Sequence, residues 1–184
     1  MTADLVLRAQ QGDHDAFASL VRPHIDRLHG LAGLLLRDSG RAEDALQEAL
    51  LRAWRDLPRL REPDRFESWL RRLVVNASHD EGRRLRRRRG EQSLEPFHEP
   101  GTTGGISELL DRDELARGFR HLKDDERTTI ALRYYLDLSS AEAAEAMGLR
   151  EVTYRSRLHR ALKVLQAALS AEARTAIGQE GGLS

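Results

Sequence analysis

Three stretches of this chain carry side chains whose types and spacing could do chemistry, and in each the chemistry is binding rather than bond making. Beyond residue 150, a step of about 100° per residue puts Tyr154, Leu158, Ala161 and Leu165 on one helix face. Val152, Thr153, Ser156, Arg157, His159, Arg160 and Lys163 fall on the opposite arc. Its cations suit phosphates, and its short hydroxyls would let a helix sink into a major groove about 12 Å wide. A merely solvated amphipathic face is the plainer alternative. The second stretch is RRLRRRR, residues 83–89, with Arg71, Arg72 and Asn76 before it. It could lay a basic helix along a phosphate backbone while the Asn76 amide meets a base edge, or it could be a disordered basic arm. The third is a mixed patch of Asp44, Gln47, Glu48, Leu51, Arg52 and Arg55, where Leu51 stands exposed among charges. That patch reads either as ordinary surface or as a docking face for a partner helix.

Catalysis has little support. The seven histidines are scattered, no H-E-x-x-H pattern occurs, and there is no P-loop or paired-glycine phosphate cradle. No metal site and no cofactor are expected. The absence of cysteine excludes a disulfide, a thiolate zinc site and a thiol switch. No stretch approaches the roughly 20 apolar residues of a membrane span, so a cytoplasmic protein without membrane insertion is expected.

The elements that must position these residues are helices. Charged residues make up 33% and aromatics 5% of the 184 residues, and Ala, Leu, Arg and Glu dominate. Asp13 is placed to cap a helix through Phe17, Leu20, Val21, Leu28, Leu31 and Leu35, with Pro23 kinking or dividing it. From 41 to 57 the residues Ala42, Ala45, Leu46, Ala49, Leu50, Ala53, Trp54 and Leu57 form one stripe at spacings of three and four. Pro58 and Pro63 bracket a loop, after which Phe66, Trp69, Leu70, Leu73, Val74 and Ala77 predict a helix that runs into the arginines. Further on, Asp124 is expected to cap one helix, and Ser139 with Glu142 forms a capping box that opens another, ended by Gly148. The basic helix follows. Two short helices joined by a glycine-containing turn, the second basic, are the sequence form of a helix-turn-helix.

Net charge is zero, but its distribution is uneven. Residues 1–90 carry 18 basic and 14 acidic groups, 91–114 carry one and seven, and 115–169 carry ten and seven. Two basic segments thus flank an acidic one. The run EQSLEPFHEPGTTGG, rich in Pro, Gly and Glu, has no apolar period and predicts a linker. The expected architecture is all-α: two small helical domains, 1–90 and 107–170, joined by a flexible linker over 91–106, with a C-terminal tail over 171–184 whose last residues, IGQEGGLS, read as frayed. The acidic linker predicts domains that associate loosely and separate readily.

Taken in order, DALQEALLRAWRDL, FESWLRRLVVN and the arginine run resemble region 2 of the extracytoplasmic-function (ECF) group of bacterial sigma factors. LRYYLDLSSAEAAEAMGLREVTYRSRLHRAL resembles their region 4. The resemblance implies that Asp44, Gln47, Glu48, Leu51, Arg52 and Arg55 dock on the clamp helices of core RNA polymerase. It implies that the loop 58–66 with Arg61, Asn76 and Arg83, Arg84, Arg86 and Arg87 captures single-stranded promoter DNA at the minus-ten element. It also implies that Arg150, Thr153, Arg155, Ser156, Arg157 and Arg160 read duplex DNA at the minus-thirty-five element while region 4 touches the polymerase flap. The protein would catalyse nothing itself, and an anti-sigma factor is a possible partner. Val152, Tyr154 and Arg155 depart from the family's region 4 pattern. Val75 stands where arginine is common, and Pro63 and Arg65 alter the base-capturing loop. A helix-turn-helix regulator that does not join core polymerase, or a helical adaptor, remains as an alternative; the first domain shows no ligand-pocket or phosphoacceptor pattern.

Overall fold

The computed structural model describes residues 2–91 and 118–180, with side chains over 2–88 and 118–171. The expected linker, 91–106, lies outside the described residues apart from Glu91. Regular structure among the described residues is helical.

Helices α1 (Thr2–Gln10) and α2 (His14–Val21) form a hairpin whose turn uses Gly12 at φ 94°. Asp13 caps α2, its carboxylate accepting from the Ala16 N–H at 2.9 Å. That bond, and then Arg8, hold the Asp13 carboxyl below the usual range. Pro23 divides the next helix: a 3-10 turn, Arg22–His24, leads into α3 (Ile25–Leu36), because proline has no N–H to continue the α-ladder. Helix α4 (Ser39–Asp56) begins two residues before the expected 41, since Asp38 accepts from the Arg41 N–H at 3.0 Å and supplies the cap. The loop between the prolines folds into two 3-10 turns, Leu57–Arg59 and Pro63–Arg65, and then α5 (Phe66–Glu91) runs straight through the arginines.

In the second domain α6 (Asp124–Tyr134), α7 (Ser140–Met147) and α8 (Glu151–Glu180) follow. Asp124 is not the cap. Lys123 occupies that position, its N–H bonded to the Glu126 carboxylate at 2.9 Å, and Asp124 is the first helical residue. Helix α8 also continues to Glu180, past the point where a frayed tail was expected.

The expectation of loosely associated domains is corrected by the packing. One core runs through both: Leu31, Leu35, Phe66, Leu70, Val74 and Val75 of the first domain join Leu132, Leu136, Ala143, Ala144 and Tyr154 of the second. Helix α3 lies on α6 and α5 lies on α7. Each fully buried aliphatic side chain is worth about 1.5–3 kcal/mol, so this seam outweighs screened charge pairs. Polar groups fasten it at specific points. Buried Arg127 of α6 donates to the Leu35 carbonyl at the C-terminal end of α3, where a cation also meets the negative helix end. Arg27 of α3 returns the contact, donating to the Leu136 carbonyl at 3.1 Å. Tyr135 packs so closely on α3 that a Cβ at Gly30 would run into its hydroxyl.

Candidate nucleic-acid interface

Helix α8 owes its placement to the turn before it. The Glu142 N–H donates to Ser139 Oγ at 3.3 Å while the Ser139 N–H reaches the Glu142 carboxylate at 2.9 Å, which fixes the start of α7. The Ser139 hydroxyl, which donates to the Glu142 carboxylate at 2.7 Å, and then the Ser139 N–H hold that carboxyl below its usual range. Gly148 ends α7 at φ 66°, a left-handed conformation that favours glycine, and Arg72 of α5 passes within 3.3 Å of where its Cβ would be. Tyr154, a departure from the family pattern, is the anchor of α8. It is fully buried, its hydroxyl donates to the Thr129 carbonyl at 2.8 Å, and burial pushes its pKa up to about 12.

With Tyr154 inward, the opposite arc faces solvent. Val152 is 76% exposed, and Thr153, Ser156, His159, Arg160 and Lys163 are exposed beside it. Arg150 and Arg155 are exposed too, Arg155 paired with Glu151 at 2.6 Å. Ser156 donates its hydroxyl to the Val152 carbonyl at 3.1 Å, leaving oxygen lone pairs outward. Arg157 stands apart: half-buried, it pairs with Asp125 of α6 at 3.0 Å.

Because α5 is one continuous helix, Arg83 and Arg87 each fall within about 20° of Asn76 around it, and all three are exposed. Asp80 and Glu81 hold the arginines near them. Asp80 pairs with Arg83, and Glu81 lies 3.8 Å from Arg84. Arg86 points about 80° away from Asn76, toward the seam, and pairs with Asp124. The adjoining loop is pinned by Gln10 of α1, whose amide donates to the Leu57 and Leu60 carbonyls at 3.0 and 2.8 Å. Arg61 on that loop is exposed, whereas Arg65 reaches across the seam to Glu145 at 2.8 Å. Val75, another of the departures, is 1% exposed and lies between the cross-seam contacts of Arg72 and His79.

On α4, Leu51 is 67% exposed, with Asp44, Gln47 and Arg55 exposed around it. Arg52 differs from its neighbours. Partly buried, it bonds Glu48 at 2.8 Å and Asp80 of α5 at 3.0 Å, so it positions two helices against each other. Those bonds, Asp80's first, hold its pKa above the ordinary value.

Three outward faces therefore exist, on α4, α5 and α8, and docking of the domains covers none of them. Reading the sequence alone missed the residues that tie these faces to their surroundings: Asp80 and Glu81, Arg127, and the adjacent pair Asp124 and Asp125. Asp80 and Glu81 sit four and five residues after Asn76 within an otherwise basic helix, a spacing that could have flagged them; the α6 contacts left no local signal. Among the described residues no group of three or more His, Asp or Glu side chains could hold a metal ion, and no helix is long and apolar enough to cross a membrane.

Comparison with known proteins places both halves. Residues 20–89 match the family described as Sigma-70 region 2, and residues 112–165 match Sigma-70, region 4. The chain is 32% identical over 159 residues to the ECF RNA polymerase sigma factor SigM of Mycobacterium tuberculosis, covering 86% of this chain and 80% of the relative. It is 27% identical over 176 residues to the ECF RNA polymerase sigma factor SigW of Bacillus subtilis, covering 88% and 92%. Among solved structures, CnrH in complex with the cytosolic domain of CnrY is similar at TM-score 0.68 and 27% identity, over 92% of this chain and 97% of that one. The sigma factor RpoE of Bartonella quintana, in complex with the anti-sigma factor NepR, is similar at TM-score 0.63 and 26% identity, over 86% and 97%.

Proposed function

We propose, from the premise that this chain belongs to the ECF group of sigma-70 RNA polymerase sigma factors, that its three exposed faces divide the work of promoter-specific transcription initiation. The α4 face around Leu51, with Asp44, Gln47, Glu48 and Arg55, docks on core polymerase at the clamp helices, and Arg52 keeps that face in register with α5. The α5 face with Asn76, Arg83, Arg84 and Arg87, with Arg86 at its seam-side edge and Arg61 on the loop, takes single-stranded DNA at the minus-ten element. Helix α8, through Thr153, Arg155, Ser156, Arg157 and Arg160, with Arg150 just before it, reads duplex DNA at the minus-thirty-five element. Residues 1–90 and 107–170 are the two working units. The chain carries out no bond-making step of its own, and it acts where the polymerase is, in the cytoplasm.

The observation that carries this reading is the outward placement of the α5 and α8 polar faces although their domains share one core. Geometry adds a requirement. A folded chain of this length spans roughly 40 Å, whereas two elements about 25 base pairs apart lie about 85 Å apart along straight B-DNA. The docked body cannot read both at once, so the domains separate on polymerase. The seam is suited to opening, since it leaves buried Ser78 Oγ and Arg127 Nε without hydrogen-bond partners among the described residues. The similarity to CnrH and RpoE, both solved with bound partners, runs across both domains. It supports the docked body as the form an anti-sigma partner would hold.

Copurification with core polymerase, followed by promoter-dependent run-off transcription, tests the reading. Leu51→Arg is expected to lose core binding by about 2–4 kcal/mol with helicity unchanged. Unchanged binding would remove α4 from the polymerase contact.

A further inference from the structure

Two neighbouring carboxylates on the first turn of α6 each hold an arginine from a different DNA-facing helix. Adjacent helical residues point about 100° apart, so Asp124 and Asp125 diverge. Asp124 faces the seam, where it pairs with Arg86 of α5 beside a cavity of about 200 Å³ lined by Arg41, Arg86 and Arg127. Asp125 faces the other way and pairs with Arg157 of α8 at 3.0 Å, in a cleft of about 250 Å³ that also contains Lys123 and Arg160.

We propose that Asp124 and Asp125 are a built-in surrogate for DNA phosphate, each occupying one arginine of a DNA-facing helix, Asp124 only while the domains are docked. The inference rests on the reading of α5 and α8 as DNA-binding helices. Carboxylates and phosphates are held by the same guanidinium donors, so an arginine paired inside the protein must release its carboxylate before it takes a phosphate. The geometry permits that exchange. Arg86 is 57% exposed and Arg157 33%, with Asp124 at 36% and Asp125 at 60%, so neither release strands a buried charge. Arg127, 7% exposed and bound to two carbonyls, is the contrasting case of a fixed contact.

The two carboxylates differ in what their release does. Asp125 and Arg157 belong to the same domain, so DNA taken by Arg157 only has to compete with Asp125. The pair of Asp124 and Arg86 spans the seam. A phosphate that takes Arg86 removes a contact present only in the docked form, and by reciprocity DNA binding on α5 favours domain separation.

The test uses the full chain at low salt with a dye-labelled single strand, a dye-labelled duplex of mixed sequence, and small-angle scattering. Asp124→Asn is expected to tighten single-strand binding about two- to fivefold and to let the particle enlarge at a correspondingly lower strand concentration. Asp125→Asn is expected to tighten duplex binding by a similar factor without enlarging it. In an Arg86→Gln background Asp124→Asn should bring no further gain; an equal gain there would mean a general field effect and would overturn the proposal. Weaker DNA binding by Arg86→Gln and Arg157→Gln with no gain from either Asp variant would overturn the surrogate alone. DNA binding unaffected by both Arg variants would overturn the DNA reading of these helices and the surrogate with it. Circular dichroism checks that each Asn variant keeps its helices.

Discussion

The two domains are held together by different means, and the difference shows which of them can stand alone. The first domain packs α1 to α5 around long side chains of its own: Val6, Leu28, Leu31, Leu57, Phe66, Leu70 and Val74 are each at most 3% exposed. The second divides its apolar residues. Phe119, Leu122, Ile130, Ala161 and Leu165 form a small separate cluster, while Leu132, Leu136, Ala143, Ala144 and Tyr154 belong to the core shared with the first domain. A helix-turn-helix built largely from alanines has little to bury by itself, so part of its packing is borrowed across the seam. It follows that the first domain should persist in the open form while the second becomes the less stable partner.

The strongest way to break this contrast is to remove the α8 anchor. Tyr154→Ala deletes a fully buried aromatic and its hydrogen bond, and a loss of about 3–5 kcal/mol is expected. Urea denaturation should then show two transitions, the earlier one belonging to the second domain. A single cooperative loss of both would mean that the first domain also depends on the seam. Tyr154→Phe isolates the hydroxyl and should weaken the fold by about 1 kcal/mol.

The seam itself is the next target. Arg127→Ala leaves the Leu35 and Leu122 carbonyls without their donor, at a cost of about 1–3 kcal/mol. The variant should enlarge in scattering while the first domain keeps its denaturation midpoint. Gly30→Ala sharpens the point, because alanine is favourable within a helix yet its Cβ collides with Tyr135. It should leave α3 intact and still loosen docking; unchanged particle size in both variants would show that the apolar seam closes the domains unaided.

The smallest effect expected is a dependence on pH. His79 donates to Thr128 Oγ1 at 2.8 Å across the seam, since the Thr128 hydroxyl proton is engaged by the Asp124 carbonyl. Burial lowers its pKa, with Asp124 and Asp125 opposing and Arg83 and Arg86 reinforcing the fall. In the open form the imidazole returns to about 6.5. The open form therefore binds a proton first as pH falls, so docking weakens below about pH 6.5 and is fully supported above about pH 7.5. Scattering across that range should show a mild expansion in acid that His79→Gln abolishes, and an expansion that survives the substitution would place the titrating group elsewhere.

Local spacing was enough to locate α4, α5, α7 and the start of α8, because an amphipathic stripe and a capping box are properties of residues three and four apart. The motif order was enough to indicate a two-region sigma factor, and Leu51 could be picked out because an aliphatic residue among charges conflicts with its own stripe. The misplaced cap at Asp124 is a local error of one residue, where Lys123, Asp124 and Asp125 give no unique start. Neither the shared core nor the pairing of Arg86 with Asp124, Arg127 with Leu35 and Tyr135 with Gly30 could be read in this way. Those partners lie 38, 92 and about 105 positions apart, and periodicity carries no information over such distances. Helical faces follow from the sequence alone because the backbone repeat is short and fixed. Which exposed arginine is left for DNA and which is held by a carboxylate depends on how two domains meet, and that is decided only when their surfaces compete for the same contacts in three dimensions.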